Sequence, residues 1–249
     1  MIRKACRFGG LRLYWLAACV VLTGCASSQA PDPTWQWLFD GTDLNQWTGL
    51  GRPDIPAESW QIAGDTLHKV GSTAENYGGD LRTKERFNNF ELCFEFKLTR
   101  GANSGVKYNV SEEMSAQHGH PSSAIGFEYQ VLDDRYHPDA KMGRDGNRTV
   151  GALYDIYPPA TTKPTVEAGD WHMGCVRAET NHINHTLDGE LVLEYRLDDP
   201  DFVTRVAGSK FAPIDGFADR REGYIVLQDH LDELWYRNIK VRRLAPNDS

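Results

Sequence analysis

Residues 90–98 read FELCFEFKL, and no other stretch limits the fold of this chain as much. Side chains alternate across an extended strand with a period of two. Phe90, Leu92, Phe94, Phe96 and Leu98 therefore share one face, and Glu91, Cys93, Glu95 and Lys97 share the other. That is a sheet with one side against a core. Similar runs follow at 105–110 (GVKYNV), 126–132 (GFEYQVL), 171–179 (WHMGCVRAE), 224–228 (YIVLQ) and 234–244 (LWYRNIKVRRL). HINHTL at 182–187 and ELVLEY at 190–195 flank Asp188-Gly189. Asp-Gly between two strand-like runs predicts a tight hairpin. No window carries a long apolar stripe at helical spacing. Many short strands with Gly, Asn and Asp turns predict an all-β sandwich or barrel. The connection 133–170 is long and irregular, and such connections in compact domains are usually functional or mobile.

The first 24 residues belong to a different kind of segment. They carry Arg3, Lys4, Arg7 and Arg12 and no acid, followed by the apolar run Leu13 to Leu22. Ten apolar residues are too few to span a bilayer, and a basic start before a short apolar run reads as an export signal. Leu22-Thr23-Gly24-Cys25 then resembles the lipobox of bacterial lipoproteins. That resemblance implies cleavage before Cys25, acylation of Cys25 and a stable membrane anchor. A plain secretory signal with a chance cysteine is the alternative. The expected organisation is a signal peptide at 1–24, a lipidated linker at 25–35, one β-domain at 36–244 and a tail at 245–249. The expected location is the outer membrane, facing the periplasm or the cell surface.

Loss of four cations takes the formal net charge from −8 to about −12. A chain that acidic, with no basic cluster, is a poor partner for nucleic acid. Of five cysteines, only Cys93 and Cys175 remain unmodified after export. Both fall in strand-like runs, so a disulfide in an oxidising compartment and two separate buried thiols are both open readings.

Eight phrases in order over about residues 36–244 resemble the 3-keto-disaccharide hydrolase family. They include LFDGTDLNQW (38–47), GGDLRTKERFNNFELCFEFKL (78–98), GANSGVKY (101–108), GFEYQVLDD (126–134) and GALYDIYPP (151–159). GDWHMGCVR (169–177), HTLDGELVLEY (185–195) and LQDH with YRNIKVRRL complete the series. The resemblance implies a concanavalin A-like jelly-roll β-sandwich that cleaves glycosides already oxidised at C3. Three positions depart from the family pattern: Trp171-His172, Asp188-Gly189, and LDELWYRNI after LQDH, where a glycine beside His230 is missing. The last bears on substrate range.

A C3 ketone acidifies the hydrogen at C2. The chemistry this implies is proton abstraction, elimination of the C1 substituent and addition of water. It needs a base, a stabiliser for the enolate oxygen and an acid for the leaving group. With the family phrase behind it, Glu128 is the first candidate for the base, and it shares a strand face with Gln130. Without that phrase, both read as a solvated sheet face. His230 is a candidate acid, base or ligand at a strand exit beside Gln228 and Asp229, and a capped turn is the alternative. Lys107 is the candidate oxyanion or hydroxyl partner. Asn103 lies in a glycine-flanked loop that suits close approach of a sugar or a simple turn. Tyr154 is a candidate sugar platform or a core tyrosine. Asp133 and His137 are candidate substrate contacts, with turn formation as the alternative.

No cofactor is specified by a motif. A divalent ion would polarise the ketone, with Glu128, Asp133 and His137 as its candidate ligands, although no local signature such as HExxH occurs. No nucleotide fingerprint is present either, so a separate sugar C3 oxidoreductase is the expected functional partner. A carbohydrate-binding lipoprotein without catalysis is the alternative function, because fold alone does not assign catalysis. A glucanase with alternating acids on one strand is disfavoured, since ELCFE lacks the middle aspartate.

Overall fold

The computed structural model describes residues 1–2, 34–118 and 123–245. The export signal, Cys25 and the linker up to Thr34 lie outside the described residues, apart from Met1 and Ile2. The described residues from Thr34 onward belong to one compact unit. No helix among the described residues is long and apolar enough to cross a membrane.

Thirteen described strands build two antiparallel sheets. In chain order they are β1 (Gln36–Phe39), β2 (Trp47–Gly49), β3 (Trp60–Ala63), β4 (Thr66–Lys69) and β5 (Leu81–Thr83). Then come β6 (Phe90–Leu98), β7 (Asn103–Ser111), β8 (Ile125–Leu132), β9 (His172–Glu179) and β10 (His182–Leu187). The last three are β11 (Glu190–Arg196), β12 (Tyr224–Leu227) and β13 (Leu234–Arg243). The larger sheet runs β11-β10-β9-β6-β13-β4-β3, with β1 added to β13, and the smaller runs β2-β5-β12-β7-β8. This is the all-β sandwich expected from the alternation, in the jelly-roll form that the family resemblance implies. The predicted hairpin also forms: Leu187 pairs with Glu190, and Asp188 and Gly189 both have positive φ, as a type I′ turn requires.

The two inner faces interdigitate through aromatic rings. Phe90, Phe94 and Phe96 of β6 are fully buried, and Phe94 meets Tyr129 of β8 edge-on at 5.3 Å. Tyr108 of β7 crosses to β10, where its hydroxyl lies 2.8 Å from His185 Nε2. Burial pulls the His185 pKa down to about 4, so this core histidine is neutral.

Two short helices interrupt the strands: α1 (Glu112–His118) and α2 (Pro200–Ala207). The second starts where the Asp199 side chain accepts the Asp201 amide and Pro200 opens the first turn. Its buried Phe202 stacks on Tyr195.

On the outer face of the larger sheet, Cys93 and Cys175 stand directly opposite each other and are joined by a disulfide. Of the two open readings, the structure realises the bridge. Glu91 binds Arg177 and Arg242 beside it, and Glu95 binds Arg237.

Candidate active site

The outer face of the smaller sheet is built differently. Register places Gly105 of β7 opposite Gln130 of β8, and Lys107 opposite Glu128. All four positions face away from the core, because Val106 and Tyr129 between them face inward. An outward face is ordinarily wet. Here Glu128 is only 5% exposed, and Gln130 and Asn103 are buried with it. Residues 148–154 of the long connection reach this face, where the Arg148 carbonyl accepts from Gln130 Nε2 and Tyr154 lines the cleft, and Lys210 after α2 lines it as well.

Asn103, Glu128, Gln130, Tyr154, Lys210, Gln228 and His230 line one small cleft. The Glu128 side chain lies over Gly105, where an added Cβ would sit 2.7 Å from the carboxyl carbon. The absence of a side chain at 105 thus makes the space for the carboxylate. No hydrogen bond or ion pair to that carboxylate forms among the described residues. Three further acceptors in the cleft, Asn103 Oδ1, Gln130 Oε1 and Gln228 Oε1, are buried without a hydrogen-bond partner. Buried polar groups are nearly always paired, so such a concentration marks a place where a polar ligand completes the bonding.

The connection that roofs the cleft is tightly fastened. Arg148 binds Asp139 and Asp155, each at 2.8 Å, and the Tyr154 hydroxyl donates to Asp139 at 2.8 Å. Asp155, held at φ +62°, also accepts the Lys210 backbone amide at 2.7 Å. The Lys210 ammonium sits 4.2 Å from the centre of the Tyr154 ring. Lys210 is exposed as a residue, yet loss of hydration draws its pKa below the usual lysine range. Lys107 pushes the same way, and Glu128 opposes it. Tyr154 lines the cleft, and one face of its ring carries an ammonium. Burial and Asp139 raise its hydroxyl pKa.

The remaining predicted residues separate by role. Asp133 accepts the backbone amides of Gly101, Arg135 and Tyr136, so its carboxylate holds a turn. Asp229 is fully desolvated against Lys69 at 2.8 Å and accepts the Leu231 amide. That turn holds Leu231 at φ +73°, a conformation costly for a side-chain-bearing residue, and it presents His230 at the cleft. Lys107 donates to the Ala124 carbonyl and lies 3.7 Å from Asp80. Its charge is thus already matched by the protein. Burial raises the Asp80 pKa against the pull of Lys107.

Of the candidate metal ligands, Glu128, Asp133 and His137 do not gather as a set. His137, His230 and Asp232 do: each offers a ligand atom, and these lie within 4.8 Å of one another. His137 Nδ1 accepts the Asp139 amide, which leaves Nε2 for a proton or an ion. Sequence reasoning missed Lys210, Asp80, Lys69 and Asp232. Asp80 and Asp232 lie inside quoted phrases, GGDLRT and LDELWYRNI, and Lys69 and Lys210 lie in none; in no case does the local sequence show what the side chain meets across the fold.

The family model of the 3-keto-alpha-glucoside-1,2-lyase-like domain matches residues 34–242. The chain is 35% identical over 228 residues to a 3-keto-disaccharide hydrolase of Bacteroides thetaiotaomicron, covering 83% of this chain and 77% of that protein. A crystal structure of a candidate glycosyl hydrolase from Parabacteroides distasonis superimposes with a TM-score of 0.72 at 23% identity. The match covers 85% of this chain and 94% of that one. A second candidate glycosyl hydrolase from the same organism gives 0.59 at 26% identity, covering 80% and 100%.

Proposed function

This chain belongs to the 3-keto-alpha-glucoside-1,2-lyase-like family and is a glycoside-cleaving enzyme, and on that premise we propose that it acts on 3-keto-glycosides with Glu128 as the base. The carrying observation is the Glu128 carboxylate, buried, unpaired and set over Gly105 beside three unpartnered amide oxygens. A carboxylate without a protein partner among the described residues, set in a cleft, is free to take a proton from a bound substrate. The amide oxygens of Asn103, Gln130 and Gln228 accept hydrogen bonds, which suits sugar hydroxyls as donors.

The C2–H bond breaks as Glu128 takes the proton, and its electron pair forms the C2–C3 double bond. The carbonyl pair moves to the C3 oxygen. When the ketone re-forms, the double bond shifts to C1–C2, and the C1–O bond breaks with its electrons leaving on oxygen. That oxygen takes up the proton that Glu128 has gained, which returns the carboxylate to its starting state. Water then adds OH to C1 and H to C2, completing a net hydrolysis.

A divalent ion enters the proposal only through His137, His230 and Asp232, where it would polarise the ketone. Chelation that stops turnover, reversed by added divalent ion and mimicked by Asp232→Asn, supports it; full activity in chelator removes it. Lipid anchoring at Cys25 and supply of the keto sugar by a separate C3 oxidoreductase belong to the same proposal. They place the enzyme at a membrane surface, downstream of an oxidation.

The test is turnover of 3-keto-glucosides by the mature protein and by Glu128→Gln. We expect aglycone release to fall by at least about a thousandfold in the variant. Uptake of deuterium at C2 in heavy water should fall with it. Tight sugar binding without turnover of any 3-keto sugar would sink the enzyme reading in favour of a binding protein.

A further inference from the structure

We propose that Lys210 is a catalytic residue whose ammonium stabilises the oxyanion formed at C3 when Glu128 removes the C2 proton. The inference rests on the reaction proposed above and assigns it a residue that no motif singles out.

The cleft needs a cation. Proton abstraction beside a ketone places a full negative charge on oxygen, and a positioned opposite charge aimed at that oxygen stabilises it. Two lysines approach Glu128. Lys107 is already engaged, since its ammonium donates to Ala124 O at 2.9 Å and faces Asp80 at 3.7 Å. The Lys210 ammonium makes no hydrogen bond or ion pair among the described residues. It rests on the rings of Tyr154 at 4.2 Å and Phe211 at 5.0 Å, and it lines the same cleft as Glu128.

Its position is fixed from behind. Asp155 accepts the Lys210 amide through one oxygen and Arg148 through the other. Arg148 reaches Asp139, which accepts the Tyr154 hydroxyl beneath the ammonium. The Tyr154 amide in turn donates to the carbonyl of Glu128. The backbones that carry base and cation thus share one hydrogen-bonded frame, which brings both side chains to the same cleft before substrate arrives. Such preorganisation is what makes an electrostatic partner effective. The charged and titratable groups around Lys210 are Glu128 on β8, Lys107 on β7, Asp155, Arg148 and Tyr154 in the roofing connection, and His230 after β12.

The step balances without a further reactant. The C2 proton passes to Glu128, the C–H pair becomes the C2–C3 double bond, and the carbonyl pair settles on oxygen facing the ammonium. No proton leaves Lys210, and the charge disperses when the ketone re-forms. A lysine in this role must be protonated. Burial lowers its pKa, so activity should fall on the alkaline side as Lys210 loses its proton.

The test compares the wild type, Lys210→Met and Lys210→Arg on one 3-keto-glucoside, each checked for an unchanged melting temperature. We expect Lys210→Met to lower kcat by about a hundredfold to a thousandfold, with KM moving less than about threefold. Lys210→Arg should recover about tenfold of that loss. Its alkaline limb in kcat/KM should move up by at least about one pH unit, because a guanidinium does not titrate there. A merely structural lysine would not move that limb.

Lys210→Met within about threefold of wild type would overturn the proposal, as would an unmoved limb in Lys210→Arg. So would a sugar adduct on Lys210 after borohydride treatment, since the amine and not the ammonium would then be acting. If Lys210→Met fails to fold, the limb in Lys210→Arg decides alone. A wild type inactive on every 3-keto sugar overturns both the reaction and this role, whereas an active wild type with an indifferent Lys210 overturns this role only.

Discussion

The two sets of charges in this molecule obey opposite rules. On the outer face of the larger sheet, Glu91, Glu95, Arg177, Arg237 and Arg242 stay between 20% and 38% exposed and are all paired. Around the cleft, Lys69 and Asp229 are fully desolvated, Asp80 and Lys107 nearly so, and Glu128 is buried with no partner among the described residues. Pairing is complete where water makes it nearly worthless and incomplete where its absence is most costly. Stability alone would favour the reverse. The wet face therefore serves the fold, and the cleft holds the Glu128 charge in reserve for a ligand.

The largest expected effect comes from breaking the dry pair beneath the cleft. Lys69 joins β4 to the turn that presents His230, and Lys69→Met leaves the Asp229 carboxylate buried with only backbone amides. Denaturant unfolding should show a loss of about 3–5 kcal/mol. A loss below about 1 kcal/mol would break the contrast, because the pair would then behave like a surface one.

The disulfide is next. Cys93 and Cys175 close a loop of sequence separation 82 on the wet face. Replacing both by serine should cost about 2–4 kcal/mol and lower the melting temperature by roughly 5–15 °C. Turnover well below the transition should stay within about twofold. A large drop in kcat there would show that the wet face reaches the chemistry.

Gly105→Ala separates the faces in the other direction. A methyl group at 105 displaces the Glu128 side chain, whose carboxylate can swing away at little cost to the fold. We expect kcat/KM to fall about 10- to 100-fold, with stability changing by less than about 1 kcal/mol. Unchanged kinetics would mean that the carboxylate need not lie over Gly105.

How much of this was legible in the sequence follows from how far each signal travels. Period-two alternation is local, so β6 to β13 and the hairpin at Asp188-Gly189 could be read directly. It also put Glu128 and Gln130 on one face and Phe127 and Tyr129 on the other. Strands β1 to β5 are only three or four residues long, too short for a pattern. Site composition failed where register decides. Asp133 and Glu128 look alike in sequence, yet one holds a turn through three amides and the other is free. Lys107 alternates correctly, but nothing local announced that Asp80 and Ala124 would claim its ammonium. Lys210 follows α2 with no motif at all, and only the Asp155 carboxylate, 55 residues away, brings it back to the cleft.

The smallest effect gives the sharpest test of the contrast. Glu91 holds two arginines, with Arg242 at 2.6 Å and Arg177 at 3.1 Å, and geometry alone would make this the strongest ionic site in the molecule. Solvent overrides geometry. The arginines remain partly hydrated without Glu91, and Arg177 keeps Glu179 at 2.8 Å. Glu91→Gln should therefore cost less than about 1 kcal/mol, and the cost should shrink further in added salt as screening removes the Coulomb part. Lys69→Met should show little such salt dependence, since its pair is closed to ions. If Glu91→Gln instead cost more than about 2 kcal/mol at high salt, ion pairs on the wet face would matter to the fold as much as those on the dry one. The unpaired Glu128 would then lose its standing as the exception.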